Sequence, residues 1–139
     1  LCGERDFIQA ARRWRKMLGG GMRQAGIIAA AGIVALEQNV SRLAEDHANA
    51  RRLAESLLDL PGIALSMDEV QTNMVFVDVA ADRSDALSRH MAEHGILISG
   101  RGRFRLVTHL DVDAADMDRV ADAFRAFLVM DESGTQTSS

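Results

Sequence analysis

Apolar side chains recur at helical spacing over residues 4–18, where Phe7, Ile8, Ala11, Trp14 and Met17 or Leu18 share one side of an arginine-rich segment. Gly19-Gly20-Gly21 is expected to end that helix, because each glycine in a helix interior costs about 1 kcal/mol. Residues 24–38 follow a different pattern. Their centre, Ala25-Gly26-Ile27-Ile28-Ala29-Ala30-Ala31-Gly32-Ile33-Val34-Ala35-Leu36, is apolar all round, as in a helix covered on every side. Gly26, Ala29, Ala30 and Gly32 would admit close backbone neighbours, and little else in this chain could surround such a helix. A covering partner, another domain or another subunit, is therefore expected. Ser41 is the predicted N-cap of a third helix over 42–60, with Leu43, His47, Ala50, Leu53, Ala54, Leu57 and Leu58 as its apolar stripe and Pro61-Gly62 as its stop.

Beyond residue 62 the character changes. Residues 63–66 read as a short strand, and Met74-Val75-Phe76-Val77-Asp78-Val79 as a firm one, rich in β-branched side chains. Residues 84–94 read as a helix closed by Gly95, residues 96–98 and 104–108 as two further strands. Asp113 caps a last helix whose inner face is Met117, Val120, Ala121, Phe124, Phe127 and Leu128. The fold class is thus α/β: residues 41–130 form a self-consistent small domain with helices on one side of a sheet. Residues 1–40 read as the end of another unit, and residues 131–139 as a polar, disordered tail.

Composition narrows the functional classes. The chain has 139 residues, 47% hydrophobic and 26% charged, an ordinary globular balance. A formal charge of -4 gives no general attraction to nucleic acid or to an anionic membrane. A single cysteine, Cys2, excludes an internal disulfide framework and fits a reducing, cytoplasmic setting. The longest apolar run, 25–36, falls short of the ~20 residues that span a bilayer. The chain opens on Leu1 with no secretory signal behind it, as expected of the edge of a larger protein.

Residues 12–24 hold the most informative chemistry. Lys16 and Arg23 flank the triple glycine, which leads into a helix N-terminus; exposed amides, a helix dipole and two cations together suit a phosphate. The alternative is a glycine-rich turn with solvated arginines. The run matches neither the Walker pattern nor GxGxxG. His90-Met91-Ala92-Glu93-His94 satisfies an H-x-x-E-H zinc pattern, but only Glu132 remains downstream as a carboxylate of glutamate type, so a solvated helix end is the better reading and no metal is expected. Gly100-Arg101-Gly102-Arg103 is too short for a nucleic-acid tract in an acidic chain. Cys2 has no histidine placed beside it by the sequence, His47 and His109 included. His109 follows Arg105 at strand spacing, which would bring both to one site.

The stretch Arg13-Trp14-Arg15-Lys16-Met17-Leu18-Gly19-Gly20-Gly21-Met22-Arg23-Gln24-Ala25-Gly26 resembles the segment that follows the cofactor lysine in low-specificity threonine aldolases. The likeness continues through residues 27–36, Arg42-Leu43-Ala44-Glu45-Asp46-His47, Gln71-Thr72-Asn73-Met74-Val75-Phe76-Val77, and Arg105-Leu106-Val107-Thr108-His109-Leu110-Asp111-Val112. The resemblance implies the C-terminal part of a fold-type-I, aspartate-aminotransferase-like enzyme: the end of the large pyridoxal-phosphate domain with an interdomain helix (1–40), then the small C-terminal α/β sandwich domain (41–130). It implies cofactor contacts at Lys16 and Arg23 and a substrate-carboxylate contact at Arg105, where a forked guanidinium suits a carboxylate better than an ammonium would. It further implies a homodimer or homotetramer that cleaves L-threonine-type and L-allo-threonine-type β-hydroxy-α-amino acids to glycine and an aldehyde. The family's Schiff-base lysine lies upstream of Leu1. The chain's only lysine, Lys16, belongs to a different block, so no catalytic residue is expected here and the chain alone is expected to be inactive without the N-terminal domain. The alternative is a non-catalytic assembly or anion-binding module that pairs with a full-length subunit.

Overall fold

A computed structural model describes residues 1–134. The chain divides into two compact units, Leu1–Ser41 and Arg42–Ser139; residues 135–139, five of the nine of the expected tail, lie outside the described region.

The first unit holds two helices. Helix α1 (Arg5–Met17) ends as the glycines require: Gly20 N–H donates to Arg15 O (2.8 Å) and Gly19 N–H to Lys16 O (3.3 Å), with Gly19 at φ +85°. This paired closure needs a left-handed residue, and glycine takes that conformation without a Cβ penalty. Helix α2 (Gly26–Val34) runs into a widened π turn, Ala35–Asn39. No residue of α2 or of that turn is buried; Ile27 is 87% exposed and Leu36 73%. The all-round apolar pattern is therefore real, and its cover is not supplied from within the unit.

The second unit contains the core. Helix α3 (Leu43–Leu57) is followed by strand β1 (Met74–Asp78), helix α4 (Ser84–Glu93), strands β2 (Gly100–Arg101) and β3 (Arg103–Val107), and helix α5 (Ala114–Gly134). The strands form an antiparallel sheet in the order β1-β3-β2, with Phe76 opposite Arg105 and Asp78 opposite Arg103. Alternation sends Val75, Val77, Phe104 and Leu106 to one face, where they meet Leu53, Leu57, Leu87, Met91, Met117 and Phe124 from the helices. Each fully buried side chain of this size contributes about 1.5–3 kcal/mol by leaving water. The other face carries Met74, Phe76, Arg103, Arg105 and Val107 and is not covered by these helices.

Several local expectations change. Ser41 does not cap α3; Arg42 occupies the N-cap position, with no side-chain capping bond, and the helix stops at Leu57. The buried stripe of α3 is Asp46, Ala50, Leu53, Ala54 and Leu57, while His47 is exposed and Leu43 and Leu58 are nearly half exposed. An aspartate sits inside because Arg42 grips it with two hydrogen bonds, 3.0 and 3.3 Å. Residues 63–66 give one bridge, Ala64 to Asp78, rather than a strand. Ile96-Leu97-Ile98 forms no strand: Ile96 and Ile98 lean on the core while Leu97 stays 90% exposed. The short strand forms instead at the Gly100-Arg101-Gly102-Arg103 tract, which is a hairpin turn held by Gly102 N–H to Ser84 Oγ (2.8 Å). Helix α4 closes at Gly95 as read, with Ile96 N–H to Met91 O at 2.9 Å. Asp113 caps α5 by accepting from the N–H groups of Ala115 (2.8 Å) and Asp116 (3.0 Å), and the helix continues to Gly134, into the segment read as tail.

Candidate functional site

The open sheet face carries two arginines in different settings. Arg103 is satisfied: it pairs with Glu69 and with Asp78 (3.3 Å), and its guanidinium lies 4.7 Å from the Phe76 ring centroid. Arg105, two residues on and therefore on the same face, has no ion pair or side-chain hydrogen bond among the described residues. It borders a cleft of about 470 Å³ with His109, Asp111 and Arg119. The floor of that cleft is apolar, with Leu53, Met117 and Val120. Arg119 is engaged by Asp116 (2.9 Å), and His109 Nδ1 accepts the Asp111 N–H (3.3 Å). A forked cation without a partner, beside a half-enclosed apolar floor, can take the carboxylate of a small organic acid in bidentate fashion. Arg105 and His109, expected together from strand spacing, do line the same cleft, but His109 lies in the turn beyond β3 rather than on the strand.

Lys16 and Arg23 belong to the first unit. A Cβ on Gly21 would collide with the Lys16 stem and lie 2.9 Å from Nζ, and a Cβ on Gly20 would lie 2.9 Å from Arg15 Cγ. The Arg15 and Lys16 side chains thus lie close over the second and third glycines. Lys16 folds back over the loop that leads to Arg23. Gln24 then adopts φ +46°, an unusual backbone state for a residue with a Cβ, before α2 begins. Helix α2 has no side-chain cap and no acid in its first turn, so its leading amides have no carboxylate or hydroxyl acceptor. Two cations and an uncapped helix start are kinds of group from which a phosphate site can be built.

The family model for beta-eliminating lyases matches residues 1–81. The chain belongs to that family. Among beta-eliminating lyases and their relatives, the low-specificity L-threonine aldolase of Escherichia coli K12 is 50% identical over 128 residues, covering 92% of this chain and 38% of the relative. The low-specificity L-threonine aldolase 1 of Arabidopsis thaliana is 37% identical over 138 residues, 95% of this chain and 38% of the relative. An alanine racemase of Cochliobolus carbonum is 32% identical over 142 residues, 94% of this chain and 35% of the relative. The resemblance to threonine aldolases read from the motif blocks is thereby confirmed, and a fold-type-I, pyridoxal-phosphate-dependent lyase family follows from it. The chain spans about 38% of the length of the aldolases it matches.

Sequence reading missed the hydrogen bonds that join Thr108, which lines the cleft, to Asp46 and Asn73, although each of the three lies in a block that carried the resemblance. At the H-x-x-E-H pattern, His90 and His94 are tied to the backbone carbonyls of Ala123 (3.0 Å) and His90 (2.8 Å), and among the described residues no three candidate metal ligands come together.

Proposed function

We propose that this chain is the substrate- and phosphate-gripping portion of a pyridoxal-phosphate-dependent aldolase that cleaves β-hydroxy-α-amino acids, L-threonine and L-allo-threonine among them, to glycine and an aldehyde. The observation that carries the proposal is Arg105, unpaired on the open sheet face at the rim of a cleft while its neighbour Arg103 is fully engaged. Similarity at 50% identity to a protein named low-specificity L-threonine aldolase supports the substrate class. Bound pyridoxal phosphate would supply the electron sink for breaking a bond at the α-carbon. In this reading Arg105 holds the α-carboxylate and so orients the substrate, and Lys16, Arg23 and the first amides of α2 hold the cofactor phosphate. The Schiff-base lysine comes from the remainder of the enzyme, and the chain alone turns over nothing. The complete enzyme works in the cytoplasm as a homodimer or homotetramer. A region shared with a protein named alanine racemase is consistent with this division of labour, because carboxylate and phosphate contacts serve either reaction.

A chimera tests the reading: this chain replaces the matching 128 residues of the Escherichia coli aldolase. Threonine cleavage by the chimera, with KM raised roughly 10- to 100-fold by Arg105→Ala, is the expected result, the size being that of a lost charge-assisted hydrogen-bond pair. A folded chimera without activity, or an Arg105→Ala variant with the parent's KM, rejects it. The second reading, a non-catalytic assembly module, is favoured by the bare apolar surface of α2. It predicts that the chain co-elutes with a full-length aldolase subunit while adding no activity.

A further inference from the structure

Three stretches far apart in the sequence meet at the hydroxyl of Thr108. Its Oγ1 donates to Asp46 O on α3 at 2.6 Å and lies 3.4 Å from Asn73 O. The Thr108 N–H donates to that same Asn73 carbonyl (2.9 Å), and Asn73 Nδ2 returns a bond to Thr108 O (2.7 Å). Thr108 is 2% exposed and Asp46 4%, and Asp46 is fixed in turn by Arg42. One buried point therefore joins α3, the residue that opens β1 and the end of β3. A hydroxyl at this depth would be costly without its partners, so its presence among apolar neighbours needs a reason.

That reason is found in residues 109–112. The β1–β3 ladder ends at Val107, and beyond Thr108 the chain turns immediately. His109 and Leu110 are exposed, the Val112 N–H donates back to His109 O (3.1 Å), and His109, Asp111 and Val112 of this turn line the same cleft as Arg105. Thr108 is the last fixed atom group before the turn. Resting on the reading of Arg105 as the carboxylate-binding residue, we infer that Thr108 is a positioning residue: its hydroxyl, locked to Asp46, sets the end of β3 and the turn 109–112, so that the cleft keeps the width at which Arg105 closes on a carboxylate. Thr108 touches no substrate itself; it acts through the strand end and the turn.

Thr108→Val keeps the shape of the side chain and removes the donor. In the chimera it raises KM for threonine by about three- to tenfold, the range of one lost buried hydrogen bond, with kcat little changed, and Thr108→Ser restores KM. A purely structural role would lower melting temperature without this split. Because the effect passes through Arg105, Thr108→Val adds nothing to KM once Arg105→Ala is present. A parental KM in Thr108→Val, or an equal rise in both backgrounds, overturns the inference. If Arg105→Ala itself leaves KM unchanged, the carboxylate reading is what fails. The clamp is then judged by amide hydrogen exchange in the 139-residue chain, where Asp111 and Val112 must exchange faster in Thr108→Val and at the parent rate in Thr108→Ser. Unchanged exchange in the valine variant overturns the clamp.

Discussion

Arg103 and Arg105 project from the same face of one strand, but Arg103 pairs with Glu69 and Asp78 and stacks on Phe76, whereas Arg105 has no ion pair among the described residues. Their substitutions are expected to separate accordingly. In the chimera, Arg105→Lys raises KM roughly tenfold, since an ammonium cannot reproduce the two parallel bonds of a guanidinium. Arg103→Ala leaves KM within about twofold and lowers stability by at most about 1 kcal/mol, as its pairs are half exposed. Steady-state kinetics beside thermal melts check both. Arg105 could be singled out from the sequence because it sits in a motif block and carries a forked guanidinium. Thr108 and Asp46 could not, because their hydrogen bond crosses 62 positions and leaves no periodic trace. The burial of Asp46 was hidden for a related reason: a carboxylate inside a helix stripe makes sense only once Arg42 is seen to hold it.

At the scale of elements, the parts fixed by local chemistry were legible. The glycine closure of α1, the Gly95 closure of α4 and the Asp113 cap of α5 all arise from residues beside the helix end. Asp113→Ala should therefore cost about 1 kcal/mol, seen as a lower urea midpoint with an unchanged slope, because two N–H groups lose their acceptor. What depends on distant pairing was less legible. Ile96-Leu97-Ile98 has strand composition but finds no neighbour, while the glycine-arginine hairpin pairs because β3 folds straight back on it. Propensity reports what a segment tolerates; the available partner decides what it becomes.

At the scale of the whole molecule, every buried side chain among the described residues lies after Ser41. A polypeptide of residues 42–139 is thus expected to unfold cooperatively by itself, with a melting temperature close to that of the full chain; loss of a cooperative transition would refute this. One long-range pair in that piece is pH-sensitive. The Arg52 hydrogen bond, 2.7–2.9 Å long, holds the Asp118 carboxyl below the ordinary range and joins α3 to α5. A lowered folded-state pKa means that the contribution is present above the usual carboxylate range and fades as pH falls through the depressed value. Asp118→Asn should melt slightly earlier than the parent at neutral pH, and the difference should vanish in strong acid. Screening at this half-exposed pair keeps the effect small.

Helix α2 has a consequence for life in a crowded cell. A newly made copy displays Ile27, Ile28, Ile33 and Leu36 to water until something settles on them. Bare stretches of this kind are what chaperones hold and proteases clear, so steady-state abundance should track how quickly the helix is covered, and mutations that slow docking should surface first as a shortage of protein.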